Sequence, residues 1–457
     1  MYRDPVEPLE PLHGSLNTDR AATRPLRVGM IGIGTVGSGT FRVLARNRAD
    51  IAARAGRPIE LVIVAARNLA RANDVVGGSL ALTADPMQVA THPDVDVVVE
   101  VAGGTGAARD WVLAAIAHGK HVVTANKALL AVHGTEIFAA ARRQGVVVAY
   151  EGAVAVSIPI IKALREGLAA NRIEWVAGII NGTTNFILSK MRDEGLDFAA
   201  ALAQAQALGY AEADPSFDIE GIDAAHKLAL LAANAFGMPL RFADAQVDGI
   251  TSLHGADVAC AEQLGYRIKL LGVARRQANG VELRVQPALV PAGHLMAHVN
   301  GSMNAVMVKS DAAGLTMYYG AGAGSEQTAS AVIADLVDVA RLDGVHAAQH
   351  VPHLGVHAHA TNALAVLSRA AVVTSHYLRV PVAGVGQIQA VTACLAEQRV
   401  PVRQVALATD RPGVGPQVLV LTGHVAQGTL DQAVHALQAR AEVAGPVVSL
   451  RVESLES

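Results

Sequence analysis

The sequence is poor in cysteine, in aromatic side chains and in charge. Among 457 residues only Cys260 and Cys394 are cysteines, too few for a covalent framework. A large hydrophobic core has to hold the fold, and a reducing compartment, the cytoplasm, is expected. Aromatic residues make up 4% and charged residues 17%, against 51% apolar. The cores must therefore be built from Ala, Val, Leu and Ile, a mixture suited to α/β architecture. A formal net charge of −3, with no Lys/Arg run longer than two, leaves no basic footprint for nucleic acid. No apolar stretch reaches the roughly 20 residues of a membrane span. A small-molecule partner is expected, with neither nucleic acid nor membrane.

What is present is a sequence long enough for about three domains. Residues 1–26, polar and proline-bearing, read as a loose N-terminal arm. Over 27–150 short Val/Ile runs (RVGMI, IELVIVA, VDVVVEV, HVVT, VVVAY) alternate with helical segments such as AARDWVLAAIA. This is the rhythm of a Rossmann doubly wound parallel sheet, which binds ligands at the carboxyl ends of its strands. Over 151–327, helices around 158–168, 198–208 and 224–236 alternate with longer strands, and Asn279-Gly280 signals a hairpin. A mixed α+β substrate-binding and oligomerisation domain is expected there. Residues 328–342 predict a helix returning to the first domain. Residues 343–375, with His346, His350, His353, His357 and His359, match no metal-finger spacing and read as a linker. Residues 376–457 follow the order βαββαβ, a ferredoxin-like unit.

Four segments carry chemistry. Gly32, Gly34 and Gly37, in GIGTVG with Thr35 and Val36, follow an apolar strand and open a helix, so backbone N–H groups and the helix dipole can hold a pyrophosphate. The second strand ends Val64-Ala65-Ala66-Arg67, with an arginine where an acid would bind the ribose of NAD, which favours NADP over NAD. Lys127, in VTANKAL, falls on a loop at a carboxyl end, where nicotinamide and substrate should meet. Finally, GYAEADPSFDIEGIDAAHK brings Glu212, Asp214, Asp218, Glu220 and Asp223 onto one loop feeding Lys227. Asp223 and Lys227, four apart, share a helix face. Such a loop can bind an ammonium group through its acids and use the lysine to move a proton at a substrate oxygen.

From about Arg27 to the C-terminus the chain resembles homoserine dehydrogenases. The resemblance rests on Gly209-Tyr210, Glu212, Asp214-Pro215, Asp218, Gly221, Asp223 and Lys227, with NGTTNFIL from Asn181 and YYGAGAG from Tyr318. It implies NAD(P)H-dependent interconversion of L-aspartate 4-semialdehyde and L-homoserine, in threonine and methionine biosynthesis. It implies Lys227 as proton donor, Asp223 as its orienting partner, Glu212 on the substrate ammonium, and Lys127 beside the nicotinamide. Asp218 and Thr183 would shape the pocket, and Gly322 would join the cofactor contacts. It further implies a homodimer or homotetramer and a monovalent cation, Na or K, held by Glu151 and the carbonyls of Val154, Val156 and Ile158. Two departures stand out. Val156-Ser157 replaces a usual Gly pair before Ile-Pro, and a Gly384-Val385-Gly386 turn without an acid opens the C-terminal unit, which otherwise resembles an ACT regulatory domain. A non-catalytic dinucleotide sensor of the same fold is the alternative, and it predicts indifference to Lys227 and Glu212. A phosphorylating semialdehyde dehydrogenase would need a nucleophilic cysteine near the nicotinamide, a context neither Cys260 nor Cys394 has.

Overall fold

The computed structural model describes residues 24–409 and 415–455; the expected arm, apart from 24–26, lies outside them. The first sheet is all-parallel and has six strands: β1 Leu26–Ile31, β2 Ile59–Ala65, β3 Ala81–Thr83, β4 Val97–Glu100, β5 His121–Thr124 and β6 Val148–Ala149. Their order, β3-β2-β1-β4-β5-β6, is the Rossmann order. The Val-rich strands are buried on both sides; Val97, Val98 and Val99 are fully enclosed. A parallel sheet of this kind needs helices on both faces. Helices α1 Thr35–Arg46 and α2 Arg48–Ala55 pack on one face. The short α3 Leu69–Val76 follows β2, and α4 Pro86–Ala90, α5 Gly106–Ala117 and α6 Lys127–Gln144 cover the opposite face. The three-residue edge strand β3 carries too little pattern to be read from sequence.

Beyond β6 the expected helix over 158–168 is only α7 Ile160–Lys162, continued by a π turn over Ala163–Gly167. Then come β7 Ile173–Ile179, α8 Gly182–Asp193, α9 Phe198–Ala207, α10 Ser216–Ile219, α11 Ile222–Phe236, the short β8 Gln246–Val247 and α12 Gly255–Gln263. Two hairpins follow, β9 Tyr266–Gln277 with β10 Gly280–Pro291, and β11 Met303–Ser310 with β12 Gly314–Ala321. In the first, Gly280 pairs with Gln277, so the turn is Ala278-Asn279 and the glycine is a strand residue. Its need for glycine is tertiary: a Cβ there would stand 2.4 Å from the Ala365 carbonyl oxygen. Helix α13 Ser325–Arg341 returns to the first sheet, burying Ala329, Val332, Ile333 and Leu336 beside α1.

The C-terminal unit comprises β13 Val373–Pro381, α14 Ile388–Glu397, β14 Val402–Ala408, β15 Gln417–Thr422, the short β16 Val425–Ala426, α15 Gln427–Gln438 and β17 Val448–Val452. Its main strands lie in the order β17-β13-β15-β14, all antiparallel neighbours, which is ferredoxin-like topology. It is not a sheet of its own. β17 pairs in parallel with β10 through Ala288↔Arg451 and Leu289↔Val452, so both units share one 11-stranded sheet running β12-β11-β7-β9-β10-β17-β13-β15-β14. The segment 343–375 is also more than a surface linker. Val366 bridges Val281, and His353, buried, accepts the Val148 N–H at 3.1 Å through Nε2. Among the described residues, no cluster of His, Cys, Asp and Glu is placed to hold a metal, and no helix is long and apolar enough to cross a membrane.

Candidate active site

At the carboxyl ends of β1, β2 and β4 lies a cavity of about 460 Å³. Gly32 and Gly34 form one wall, Val101 to Gly104 another, and Arg67 and Arg71 stand at its edge with Trp111 nearby. The glycines are dictated by geometry. Gly32 has φ +102, and a Cβ on Gly37 would meet the Gly32 carbonyl oxygen at 2.2 Å, so the third glycine lets α1 close on the strand. The cavity therefore faces the α1 N-terminus, where unpaired N–H groups and the dipole favour a phosphate. Arg71 escaped the sequence reading; it sits four residues after Arg67, on the first turn of α3.

Glu100 ends β4 and is fully buried. Its Oε1 accepts the Ala102 and Gly103 N–H groups, each at 3.0 Å, and its Oε2 accepts the Thr124 hydroxyl at 2.8 Å. Thr124 Oγ1 accepts the Asn126 N–H at 3.0 Å, and Asn126 donates through Nδ2 to the Gly104 carbonyl at 2.7 Å while capping α6 at the Leu129 N–H. One carboxylate thus fixes the glycine-rich 101–104 wall relative to the start of α6. Lys127 is the first residue of that helix.

Lys127 leads to the second half of the site. Its ammonium stands 3.1 Å from Asp223 Oδ1 and over the Phe217 ring. The other Asp223 oxygen accepts Lys227 Nζ at 2.7 Å, and Lys227 Nζ also donates to the Ile180 carbonyl at 2.8 Å. Asp223 and Lys227 are both buried, so the i,i+4 spacing that ordinarily gives a solvated surface pair here gives an enclosed one. Asn181 completes the cluster, donating through Nδ2 to Asp218 at 2.7 Å and to Asp223 at 2.9 Å, while its Oδ1 caps α8 at the Thr184 N–H. The Thr183 hydroxyl donates to the Tyr210 carbonyl at 2.7 Å.

The electrostatics follow from burial and from two lysines sharing one acid. Burial alone would raise the Asp223 carboxyl, but Lys227 and Lys127 outweigh it and hold the group well below the usual carboxylate range. Burial pushes Lys227 below an ordinary lysine; Asp223 opposes this and Lys127 reinforces it. Asp218 is raised, first by burial and then by the Asp223 charge. A lysine held below its ordinary range by burial and paired with a permanent anion is suited to exchange a proton with a carbonyl or hydroxyl oxygen.

Glu212 is not part of this contact network: it is exposed, and only its backbone carbonyl is engaged, by Gln206 Nε2 at 3.1 Å. Gly322 does not line the dinucleotide cavity; it packs against the Asn304 side chain, where a Cβ would clash at 2.3 Å. Three residues on, Ser325 donates its hydroxyl to the Thr35 carbonyl at 2.6 Å, tying the α13 start to the glycine loop. Glu151 is buried and accepts the Ile161 and Lys162 N–H groups, one per oxygen, each at 2.8 Å. Val156 takes φ +54, the left-handed conformation that a glycine would adopt at little cost. Asn181, Glu100 and Asn126 were not assigned roles from the sequence. The detectable signal was Asn at an N-cap two residues after a strand, seen at both Asn126 and Asn181.

Two family models cover most of the chain: that of the homoserine dehydrogenase NAD-binding domain matches residues 32–151, and that of homoserine dehydrogenase itself matches residues 159–337. A homoserine dehydrogenase of Pseudomonas aeruginosa is 54% identical over 435 residues, which is 94% of this chain and 100% of its own length. The chain belongs to the homoserine dehydrogenase family. It is an NAD(P)-dependent oxidoreductase of amino-acid biosynthesis that interconverts L-aspartate 4-semialdehyde and L-homoserine. A homoserine dehydrogenase of Neisseria gonorrhoeae is 47% identical over 433 residues, 94% of this chain and 99% of its own. The crystal structure of one from Thiobacillus denitrificans superposes with a TM-score of 0.90 at 52% identity, covering 95% of this chain and 99% of that one. These matches support the enzyme over the sensor alternative.

Proposed function

We propose that Lys227 is the acid–base residue of the homoserine dehydrogenase reaction, with Asp223 as its permanent counter-charge and Lys127 as the cation that lowers its proton affinity and contacts substrate. The observation that carries this reading is the enclosed Lys227–Asp223 pair at 2.7 Å, with Lys127 on the second carboxylate oxygen. A bound reduced dinucleotide supplies the hydride. The chain's part is to hold a proton at Lys227 Nζ for the aldehyde oxygen and to retrieve it during alcohol oxidation. Asp218 and Thr183 shape the pocket wall. The exposed Glu212 binds the substrate ammonium from the outer side of the loop.

The dinucleotide rests on Gly32, Gly34, Thr35, Val36 and Gly37, and NADP is favoured because Arg67 and Arg71 both edge the cavity with no acid between them. A monovalent cation fits Glu151 and the carbonyls of Val154, Val156 and Ile158. Val156 keeps a left-handed backbone despite its β-branched side chain, strain of order 1–3 kcal/mol that persists where surrounding structure demands it. Two buried free cysteines, Cys260 and Cys394, suit a cytoplasmic enzyme, and the family resemblance suggests a homodimer or homotetramer. Initial rates of NADPH and NADH consumption, each with and without aspartate semialdehyde and in Na, K or choline salts, test the whole reading. Substrate-dependent NADPH turnover is expected, and its absence with either cofactor would refute it.

A further inference from the structure

The strand order of the Rossmann sheet reverses between β1 and β4, the switch point at which such sheets bind ligands. Glu100 closes β4 at that point, in register with Ile31 of β1 and Thr124 of β5. It is 0% exposed. Its carboxylate meets three donors, the Ala102 and Gly103 N–H groups on one oxygen and the Thr124 hydroxyl on the other. An ionised carboxyl, which only accepts, satisfies all of them. The two amides belong to a turn in which Gly103 and Gly104 take φ +80 and +82. Successive N–H groups in a turn make a concavity suited to an anion, and here Glu100 fills it from within the protein. The turn is pressed against the glycine loop, since a Cβ on Gly32 would stand 2.9 Å from the Ala102 nitrogen.

On its other side the carboxylate governs the start of α6. The Thr124 hydroxyl, its proton directed to Glu100, presents its oxygen to the Asn126 N–H at 3.0 Å. Asn126 then caps α6 at the Leu129 N–H and returns to the Gly104 carbonyl, which closes a ring of hydrogen bonds behind the dinucleotide wall. Lys127, next in the chain, reaches Asp223 at 3.1 Å. We propose that Glu100 is a positioning residue of the hydride transfer. One buried carboxylate fixes the wall 101–104 to the helix start that carries Lys127, and so sets the register between a bound dinucleotide and the Asp223–Lys227 pair. A misplacement of about 1 Å at such a joint costs on the order of 10²-fold in rate. The link to the proton site rests on the role proposed for Lys127, whereas the hold on the wall does not.

Three measurements on the full-length protein test this in Thr124→Val, Thr124→Ser and Glu100→Ala: fluorescence titration with NADPH, single-turnover hydride transfer at pH 7, and the pH dependence of homoserine oxidation. Thr124→Val keeps the volume but breaks the ring on the α6 side alone. NADPH affinity should stay within about threefold of wild type, while hydride transfer falls about tenfold or more. The ascending limb of oxidation should move to higher pH, as in Lys127→Gln. Thr124→Ser keeps the hydroxyl and should restore both kinetic readouts. Glu100→Ala frees the wall as well, so NADPH affinity should also fall about tenfold. If that variant fails to fold, Glu100→Gln decides: a carboxamide accepts at only one end, so affinity or hydride transfer must drop about tenfold. Should Lys127→Gln leave the limb unmoved, the reading of Lys127 fails, and NADPH affinity in the Glu100 variants still decides whether the carboxylate holds the wall. Wild-type affinity and rates in folded Glu100 and Thr124 variants, with only the unfolding temperature lowered, would make the network purely structural and overturn the proposal. A Thr124→Val loss that Thr124→Ser does not restore would overturn it too.

Discussion

The Lys127 ammonium stands 3.1 Å from Oδ1 of Asp223, so the carboxylate that pairs with Lys227 is shared between two cations. Lys127 lies at the first turn of α6, in the Rossmann half, and Asp223 at the first turn of α11, in the substrate half. The contact therefore aligns the two halves as well as setting charge. Lys127 lowers the proton affinity of Lys227. Lys127→Gln should let Lys227 rise toward an ordinary lysine, so the ascending limb of kcat against pH for homoserine oxidation moves to higher pH. An unmoved limb would mean that Lys127 does not tune Lys227.

Asn181 supplies the donor that lies between Asp218 and Asp223, and it also caps α8. The two roles separate by substitution. Asn181→Ser keeps a capping oxygen, so thermal stability should stay near wild type, but it loses the carboxamide donor, and kcat should fall about tenfold or more. Asn181→Ala should lose the same activity and a further ~1 kcal/mol of stability. Full activity in the serine variant would show that the carboxamide only caps.

Arg67 and Arg71 discriminate between cofactors if both face a 2′-phosphate. Each Arg→Ala change should lower kcat/KM for NADPH by about tenfold, the scale of one charge-assisted hydrogen bond, and leave that for NADH unchanged. Equal losses with both cofactors would show that the arginines contact the phosphates common to both, or support the fold.

Asp335 on α13 is buried beside Glu151 and accepts its N–H at 2.8 Å. Burial, then the Glu151 charge, pushes its carboxyl up to about 7, against ~3.9 in an unfolded chain. Between those values the folded protein holds a proton that the unfolded chain has lost, so this group's contribution to stability declines as pH rises through the window and is level above it. Asp335→Asn can still accept the Glu151 N–H through its carbonyl. It should match wild type in thermal unfolding near pH 4 and exceed it at pH 8. Equal destabilisation at both pH values would contradict this.

The Rossmann half was legible because its signals are local. A Val-rich strand, a glycine loop and an amphipathic helix follow each other within twenty residues, and the carboxylate-to-lysine loop is similarly compact. What escaped depends on distant partners. The β10–β17 pairing that fuses the C-terminal unit to the substrate domain rests on two registered residue pairs more than 160 positions apart, and no pattern in either strand announces it. Gly280 read as a turn residue because Asn-Gly is a turn signal, yet the demand on it comes from Ala365. Glu100 lies unmarked within the run VDVVVEV; its role appears only where the amides of 102 and 103 and the hydroxyl of Thr124 converge on it. Glu212 stands apart from that network: its side chain is exposed, and its place on the substrate ammonium is a proposal carried by the motif rather than by contacts within the fold.

The central claim is that Lys227 moves the proton. Single-turnover oxidation of bound NADPH by aspartate semialdehyde at pH 7, with wild type and Lys227→Ala, tests it most directly, alongside NADPH affinity by fluorescence titration. The account predicts a rate lower by about 10²- to 10⁴-fold with NADPH affinity unchanged, because Lys227 lies outside the dinucleotide cavity. A variant that transfers hydride within about threefold of the wild-type rate would contradict it.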